Sequence, residues 1–171
     1  NNTRLFLVFT GDNIGVTSIN PAIYSWSSNA TLKNITFNPT LSSTNIQIED
    51  VTMNASTMTV SNGTLTVNSG FTLAQSGTSS LNLANGTSLV VDGVINGFNT
   101  ITLQSSSTMD ISAAGIVSGS GTLNVQDGSL LNVNGIINGG AASTNYGSIV
   151  MSGAATISIG NNGYLNSDSF T

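Results

Sequence analysis

Two stretches of the sequence, DGVINGF (92–98) and NGIINGG (134–140), are nearly the same and lie 42 positions apart. A second pair agrees with them: TMDISAAGIV (108–117) matches TISIGNNGYL (156–165). The offset of this second pair is 48, which is 42 plus a six-residue insertion, AASTNY (141–146). Self-similarity at a fixed spacing is the sequence signature of repeat architectures, so the chain is predicted to be built from stacked, similar units.

The 42-residue unit divides into two halves, each carrying pairs of apolar residues with one residue between them. One column of such pairs is spaced by 23, 20, 22 and 26 residues, and a second by 24, 20, 22 and 26. Because the spacings of the two columns change together, the two columns belong to the same coils. The first column comprises Met58/Val60, Leu81/Leu83, Ile101/Leu103, Leu123/Val125 and Ile149/Met151; the second comprises Leu65/Val67, Leu89/Val91, Met109/Ile111, Leu131/Val133 and Ile157/Ile159; a third, shorter element follows as Phe71/Leu73, Val94/Ile95, Ile116/Val117, Ile136/Ile137 and Tyr164/Leu165.

The period of two within each pair predicts β-strands with one apolar face. Glycine and asparagine stand between the strands, where the chain has to turn and positive φ is cheap. No helical apolar stripe is present, and β-branched residues dominate the apolar positions. The sequence therefore predicts an all-β fold, a parallel β-solenoid with three short strands per coil of about 20–26 residues. The preference for right-handed crossovers predicts a right-handed coil.

The repeat divides the chain into two parts. Residues 29–171 are predicted to form a solenoid of about six coils. Residues 1–28 do not fit the repeat and contain Pro21 and the only tryptophan, Trp26. They are predicted to be either an N-terminal cap on the first coil or an assembly segment. In the second case an apolar run would add as a strand to the sheet edge of a neighbouring subunit; it comprises Leu5, Phe6, Leu7, Val8 and Phe9.

Composition excludes several functional classes. The chain has no cysteine and no histidine, which excludes disulfides, Ser–His–Asp and Cys–His nucleophile systems and the usual zinc and copper ligands. Its net charge is −5 and its only cations are Arg4 and Lys33, so binding to nucleic acid or to an anionic membrane surface is disfavoured. No apolar run approaches the roughly 20 residues of a membrane span, and no signal peptide is visible.

The carboxylates do not form a pattern that suggests catalysis. Hydrolysis of a sugar bond generally needs two carboxylates held at a defined separation. Here Asp92 and Asp127 fall at turns of different coils, and Asp110 lies between two core residues and points outward. The positions aligned with Asp92 and Asp110 are Asn134 and Ser158, as expected of solvated residues. No calcium-binding loop motif is present. We therefore expect no enzymatic activity, no cofactor and no metal site; the seven carboxylates are Asp12, Glu49, Asp50, Asp92, Asp110, Asp127 and Asp168.

Two polar features suggest surface functions. The residues that alternate with the first apolar column read Thr57/Thr59, Ser80/Asn82, Thr100/Thr102, Thr122/Asn124 and Ser148/Val150. Stacked Thr-x-Thr pairs on a flat solenoid face are typical of ice-binding β-solenoids, although Asn82, Asn124 and Val150 interrupt this ladder. The chain also contains sequons for N-glycosylation, which suit a surface or extracellular protein; they begin at Asn1, Asn29, Asn34, Asn54, Asn62 and Asn85.

The recurring units TLTVNSG (64–70), SLVVDG (88–93), TLNVQDG (122–128) and TISIGNNG (156–163) resemble the β-helix repeats of secreted and cell-surface adhesins. That group includes autotransporter passenger domains and filamentous-haemagglutinin-like proteins. The resemblance covers about residues 56–165 and concerns a scaffold pattern, so it transfers no functional residue. It implies an extracellular or cell-surface protein with an adhesive or structural role.

Two functions remain open from the sequence. The first is an extracellular structural protein that polymerises with itself through its solenoid ends and its N-terminal strand, as a fibre, pilus-like filament or surface layer. The second is a monomeric adhesin or a carbohydrate- or ice-binding module that uses the outward face of the solenoid. In that case exposed aromatic side chains would stack on sugar, the candidates being Tyr24, Trp26, Tyr146 and Tyr164.

Overall fold

The computed structural model describes residues 30–37, 40–41, 45–54, 57–60, 63–76, 78, 80–139 and 146–171. These residues form nineteen β-strands and no helix, so among them no helix is long and apolar enough to cross a membrane. The strands are β1 (Ala30–Phe37), β2 (Thr40–Leu41), β3 (Asn45–Asn54), β4 (Thr57–Val60), β5 (Thr64–Val67), β6 (Thr72–Ser76), β7 (Ser80–Leu83), β8 (Ser88–Val91), β9 (Val94–Asn96), β10 (Thr100–Leu103), β11 (Thr108–Ile111), β12 (Ile116–Ser118), β13 (Thr122–Val125), β14 (Leu130–Val133), β15 (Ile136–Asn138), β16 (Tyr146–Met151), β17 (Thr156–Ile159), β18 (Tyr164–Leu165) and β19 (Ser167–Phe170).

The strands stack in parallel on three faces, with each strand paired to its counterparts in the coils before and after it. Face 1 is a seven-stranded sheet of β2, β4, β7, β10, β13, β16 and β19. Face 2 comprises β5, β8, β11, β14 and β17, and face 3 comprises β6, β9, β12, β15 and β18. At the N-terminal end, β3 pairs with both β5 and β6, so faces 2 and 3 belong to one twelve-stranded sheet.

The predicted fold class is confirmed: the chain is an all-β parallel solenoid with three strands per coil. The apolar columns of the sequence are in register, since Ile101 pairs with Leu81 and Leu123, and Met109 pairs with Leu89 and Leu131. The hand of the coil stays a prediction. Residues 1–29, including the candidate strand Leu5–Phe9, lie outside the described residues.

The core is a single apolar column enclosed by the three faces. In the four-residue strands β4, β5, β7, β8, β10, β11, β13 and β14 its side chains come from alternate positions, as the period of two predicts. Phe98, at the corner between faces 3 and 1, also belongs to it although it lies outside the strands. The buried apolar residues are Met58, Val60, Leu65, Val67, Leu73, Leu81, Leu83, Leu89, Val91, Ile95, Phe98, Ile101, Leu103, Met109, Ile111, Val117, Leu123, Val125, Leu131, Val133, Ile137, Tyr146 and Ile149.

The corner between face 2 and face 3, called the 2–3 corner below, explains why the sequence repeats every 42 residues. From β5 onward it alternates between four residues (68–71, 112–115 and 160–163) and two residues (92–93 and 134–135). Each four-residue corner is closed by a hydrogen bond between its own ends, such as that from the Gly115 amide to the Ser112 carbonyl. One coil with a four-residue corner and one coil with a two-residue corner together make the 42-residue repeat. Similar sequences therefore recur in every second coil.

The corner between face 1 and face 2 turns through a left-handed residue in three consecutive coils. Gly86, Ser106 and Gly128 occupy equivalent positions with φ of 73°, 61° and 70°. Left-handed backbone costs a residue with a Cβ about 1–2 kcal/mol, and glycine avoids that cost. Ser106 is therefore the one strained member of these three corners.

Replacing Ser106 with glycine is expected to stabilise the fold. The relief of left-handed strain outweighs the greater flexibility of glycine in the unfolded chain, so Ser106→Gly should raise the free energy of unfolding by roughly 0.5–1 kcal/mol. The measurement is urea unfolding followed by circular dichroism. The control is Ser105→Gly, at a residue without positive φ. That variant should lose stability, and equal effects of the two substitutions would contradict the explanation.

Candidate functional site: the open C-terminal end

Among the residues that the structure describes, the last coil has three strand edges without a neighbour on one side. Strands β17 and β18 lie at the two ends of the twelve-stranded sheet, and β19 lies at one end of the seven-stranded sheet. In the preceding coils each equivalent edge is paired; for example, the carbonyl of Ser129 accepts a hydrogen bond from the amide of Thr156. The C-terminal end therefore presents the backbone groups that the solenoid uses to add its next coil.

The same end exposes the last members of the core columns. Val67, Val91, Ile111 and Val133 are fully buried, whereas Ile159, which continues their column, is 55% exposed. Phe170 pairs with the buried Ile149 and is itself 55% exposed. Tyr164, at the start of β18, is 48% exposed. Among the residues whose side-chain exposure is described, these are the large apolar side chains open to solvent, and all three lie in the last coil.

The charge at this end is small and negative. Within residues 146–171 the only ionisable charged side chain is Asp168, which is exposed. Both cations of the chain, Arg4 and Lys33, lie in the first 33 residues, while six carboxylates and no cation lie after residue 33. With Arg4, Lys33 and Asp12, residues 1–33 carry a net charge of +1, whereas residues 34–171 carry a net charge of −6. Electrostatic attraction therefore favours contact between residues 1–33 of one copy and the acidic body of another.

Face 1 carries a second candidate surface. The register places one outward residue of each strand in a continuous column of hydroxyl groups. The side chains of the two last members are hydrogen-bonded, with Ser169 Oγ 2.8 Å from Ser148 Oγ. The sequence prediction of this ladder ended at Ser148 and did not include Ser169. The column comprises Thr57, Ser80, Thr100, Thr122, Ser148 and Ser169.

The neighbouring outward column of face 1 is mixed, as the sequence indicates. It passes through Thr59, Asn82, Thr102, Asn124 and Val150. No charged residue stands in either column. Apart from Asp168 in β19, face 1 is therefore an uncharged surface on which one of two columns repeats the same functional group at the strand spacing, about 4.8 Å.

Three of the described carboxylates lie in different coils and accept hydrogen bonds. Asp50 accepts from the amide of Thr72 at 3.0 Å, and Asp127 accepts from the amide of Ala154 at 2.7 Å. Asp110, on the outside of face 2, accepts from the side-chain amide of Asn132. Each bond joins two successive coils, so these carboxylates stabilise stacking. Among the described residues no three acidic side chains are grouped as a metal site would require.

The sequence prediction that Tyr146 is an exposed aromatic is wrong. Its side chain is 1% exposed, because β16 begins at this residue and directs it into the core. Tyr164 is exposed as predicted, but it lies at the C-terminal end. Tyr24 and Trp26 fall outside the described residues. The aromatic side chains that the structure describes therefore do not form a sugar-stacking surface on face 1.

Burial of Tyr146 predicts a loss of stability at high pH. Desolvation raises the pKa of Tyr146 from 10.0 to about 12, and its hydroxyl has no hydrogen-bond partner among the described residues. Between these pH values the unfolded chain loses the proton that the folded chain keeps, so stability falls as pH rises. By pH 12 the loss should reach between about 2 and 3 kcal/mol. Tyr146→Phe should remove this pH dependence in urea unfolding, whereas Tyr164→Phe should retain it.

The predicted glycosylation positions are distributed over the N-terminal half of the solenoid. Asn34 lies in β1 and Asn54 ends β3, whereas Asn29 and Asn62 lie outside the described residues. Asn85 is exposed at the corner between β7 and β8. The third residue of its sequon, Thr87, is buried and donates to the Ala84 carbonyl at 2.7 Å. Of these sites, Asn85 is the one whose side chain is described and open to solvent.

Comparison with known proteins returns no match: no protein-family model, no curated protein and no solved structure is similar to this chain.

Proposed function

We propose that the chain is an extracellular structural protein that polymerises with itself, end to end, through its solenoid ends and its N-terminal segment. The observation that carries the proposal is the C-terminal end of the described solenoid, where three strand edges with no neighbour among the described strands surround the exposed side chains of Ile159, Tyr164 and Phe170. No catalytic activity and no cofactor are part of the proposal.

The partner that this end fits is another coil of the same kind. Three parallel edges around one apolar column match the geometry with which every internal coil meets its neighbour. Docking would pair the free backbone groups and bury the ends of the core columns. Complete burial of an Ile or Phe side chain contributes about 1.5–3 kcal/mol, so two such residues provide a substantial driving force.

Head-to-tail contact is favoured over contact between two identical ends. Two C-terminal ends would meet with antiparallel strands and bring two copies of Asp168 together. A head-to-tail contact keeps the strands parallel and brings the segment that contains Arg4 and Lys33 towards an acidic body. A contact of this kind that does not close into a ring produces a filament.

An extracellular location rests on two features. The repeats resemble those of secreted and cell-surface adhesins, and the surface is nearly uncharged and rich in Ser, Thr and Asn. The exposed Asn85 is the site at which to test it. Mass spectrometry of the protein from its native source should detect N-linked glycan on peptides containing Asn85, provided that the source organism glycosylates secreted chains.

Negative-stain electron microscopy of the purified protein at two concentrations tests polymerisation. Uniform filaments whose length increases with concentration are expected. Ile159→Asp places a charge at the open end and should abolish them. Asn124→Asp adds the same charge on face 1, away from both ends, and should leave them intact. Circular dichroism establishes that both variants are folded. Dispersed wild-type particles at both concentrations would refute the proposal.

The hydroxyl column of face 1 favours a second candidate function, a carbohydrate- or ice-binding module. It offers six uncharged hydroxyl residues in register on one surface. Co-sedimentation with insoluble polysaccharides and measurement of thermal hysteresis test it. Thr122→Val replaces one hydroxyl of the column with a valine, a residue that face 1 already carries at Val150, and it should weaken either activity. A wild-type protein that is inactive in both assays would exclude this alternative.

A further inference from the structure

The 2–3 corner contains a recurring site for glycine. Gly93 lies in the next coil, against the four-residue corner 68–71. A Cβ on Gly93 would lie closer than 3.0 Å to the backbone oxygens of Asn68 and Phe71. Gly135 lies in the same way against the corner 112–115, and a Cβ on it would lie closer than 3.0 Å to the backbone oxygens of Ser112 and Gly115. In both cases the first and last carbonyls of a four-residue corner hold the backbone of the next coil so closely that only glycine fits.

The last coil contains another four-residue 2–3 corner. Residues 160–163 form a four-residue corner closed by a hydrogen bond from the Gly163 amide to the Gly160 carbonyl, 2.9 Å long. The equivalent bond in the corner 112–115 has the same length. Since no described coil follows, the carbonyls of Gly160 and Gly163 form a third glycine site at the open end. A strand that pairs with β17 must therefore bring a glycine to this corner.

The N-terminal segment contains a sequence that meets this requirement. Both internal coils that use the site read leucine, any residue, valine, a polar residue and glycine, as LVVDG (89–93) and LNVNG (131–135). Residues 7–11 read LVFTG, with Phe9 at the position of the valine and Gly11 at the position of the glycine that has no room for a Cβ. A further glycine follows four residues later in all three, at Gly15, Gly97 and Gly139.

We infer that residues 7–11 of a second copy dock on β17 at the open C-terminal end, with Gly11 between the carbonyls of Gly160 and Gly163. This inference rests on the proposed function and specifies its contact. In the internal coils Leu131 pairs with Ile157 and Val133 with Ile159. The next coil in that register places Leu7 over Ile157 and Phe9 over Ile159, which covers the exposed end of the core.

A second copy is a better source of this strand than the same molecule. Within one chain the segment would have to return along the length of the solenoid, roughly 29 Å for the six steps between seven stacked strands. Ordering that return carries a conformational entropy cost. In a head-to-tail filament the end of the solenoid at which β1 begins faces the C-terminal end of the next copy, so no such return is needed.

The test compares Gly11→Ala with Thr10→Ala in the filament assay. Gly11→Ala adds the Cβ that the glycine site excludes and should raise the concentration needed for assembly at least about tenfold. Thr10 aligns with the solvated Asp92 and Asn134, so Thr10→Ala should leave that concentration unchanged. Wild-type filaments that persist in Gly11→Ala would overturn this contact and leave polymerisation standing. Dispersed wild-type particles would overturn both.

Cross-linking identifies which molecule supplies the strand. The chain has no cysteine, so Leu7→Cys and Ile157→Cys can be made as separate single-cysteine proteins, mixed, and treated with a short bifunctional thiol reagent. A cross-linked dimer that contains one copy of each protein is expected. The control is a mixture of Thr156→Cys with Leu7→Cys. The side chain at position 156 points outward, so this pair should react less. If a chain carrying both cysteines cross-links only within itself and the mixture gives no dimer, docking between copies is refuted.

Discussion

Gly135→Ala is expected to lower the free energy of unfolding by at least about 3 kcal/mol, as overpacking of a site that cannot expand does. The added Cβ would lie closer than 3.0 Å to the backbone oxygens of Ser112 and Gly115, and to the side chain of Ile111. Backbone oxygens cannot move away by changing a rotamer. The coil would have to separate from the one before it, which would weaken the hydrogen bonds on face 2 and face 3. Urea unfolding monitored by circular dichroism measures the loss.

Gly86→Ala is the matched control for this prediction. Gly86 has a φ of 73°, so alanine there is strained, but no atom lies within 4 Å of where its Cβ would be. The expected cost is that of left-handed backbone alone, about 1–2 kcal/mol. Gly135 has the opposite combination, since its φ is outside the left-handed region and its space is occupied. Equal losses in the two variants would contradict the conclusion that close approach of coils determines the glycine at the 2–3 corner.

Ile111→Ala is expected to cost about 3–4 kcal/mol and Ile159→Ala about 1 kcal/mol in the unassembled protein. The two isoleucines belong to the same core column, two coils apart. Ile111 is completely buried, so its truncation leaves a cavity between coils. Ile159 is 55% exposed at the open end, so its truncation removes fewer contacts and leaves no enclosed space. Because the residue type and column are shared, the difference measures position along the solenoid.

Assembly should increase the energetic cost of Ile159→Ala, which is small in the unassembled protein. If a second copy covers β17, Ile159 becomes an interior member of the column and its truncation acquires a cost similar to that of Ile111. The variant should then fold normally as a monomer and require a higher protein concentration to form filaments. Measuring unfolding below the assembly concentration and filament mass above it separates the two effects. A variant that assembles like the wild type would show that Ile159 is not part of the contact.

The agreement between sequence and structure is closest where the physics is local. Alternation of apolar and polar residues in a strand depends on the geometry of the extended chain, and turns depend on which residues tolerate positive φ. These rules identify the columns that contain Met109 and Leu131 and place Asp110 between them on the outside. They fail at Tyr146, which stands at the edge of an insertion, and they do not identify Phe98 as a core residue. Both lie where the repeat pattern is interrupted.

By itself, the sequence determined the solenoid, its three strands per coil and the 42-residue repeat, because strand alternation and turn chemistry act between residues close together in the chain. The tertiary structure alone decided that Tyr146 is buried, that Ile159, Tyr164 and Phe170 remain exposed, and that Gly135 has no room for a Cβ. Each of these depends on contacts between coils about 20 residues apart, or on a position in the last coil that the structure describes. The position of a backbone carbonyl in one coil relative to a glycine in the next is set by stacking, and no local pattern of residues records it.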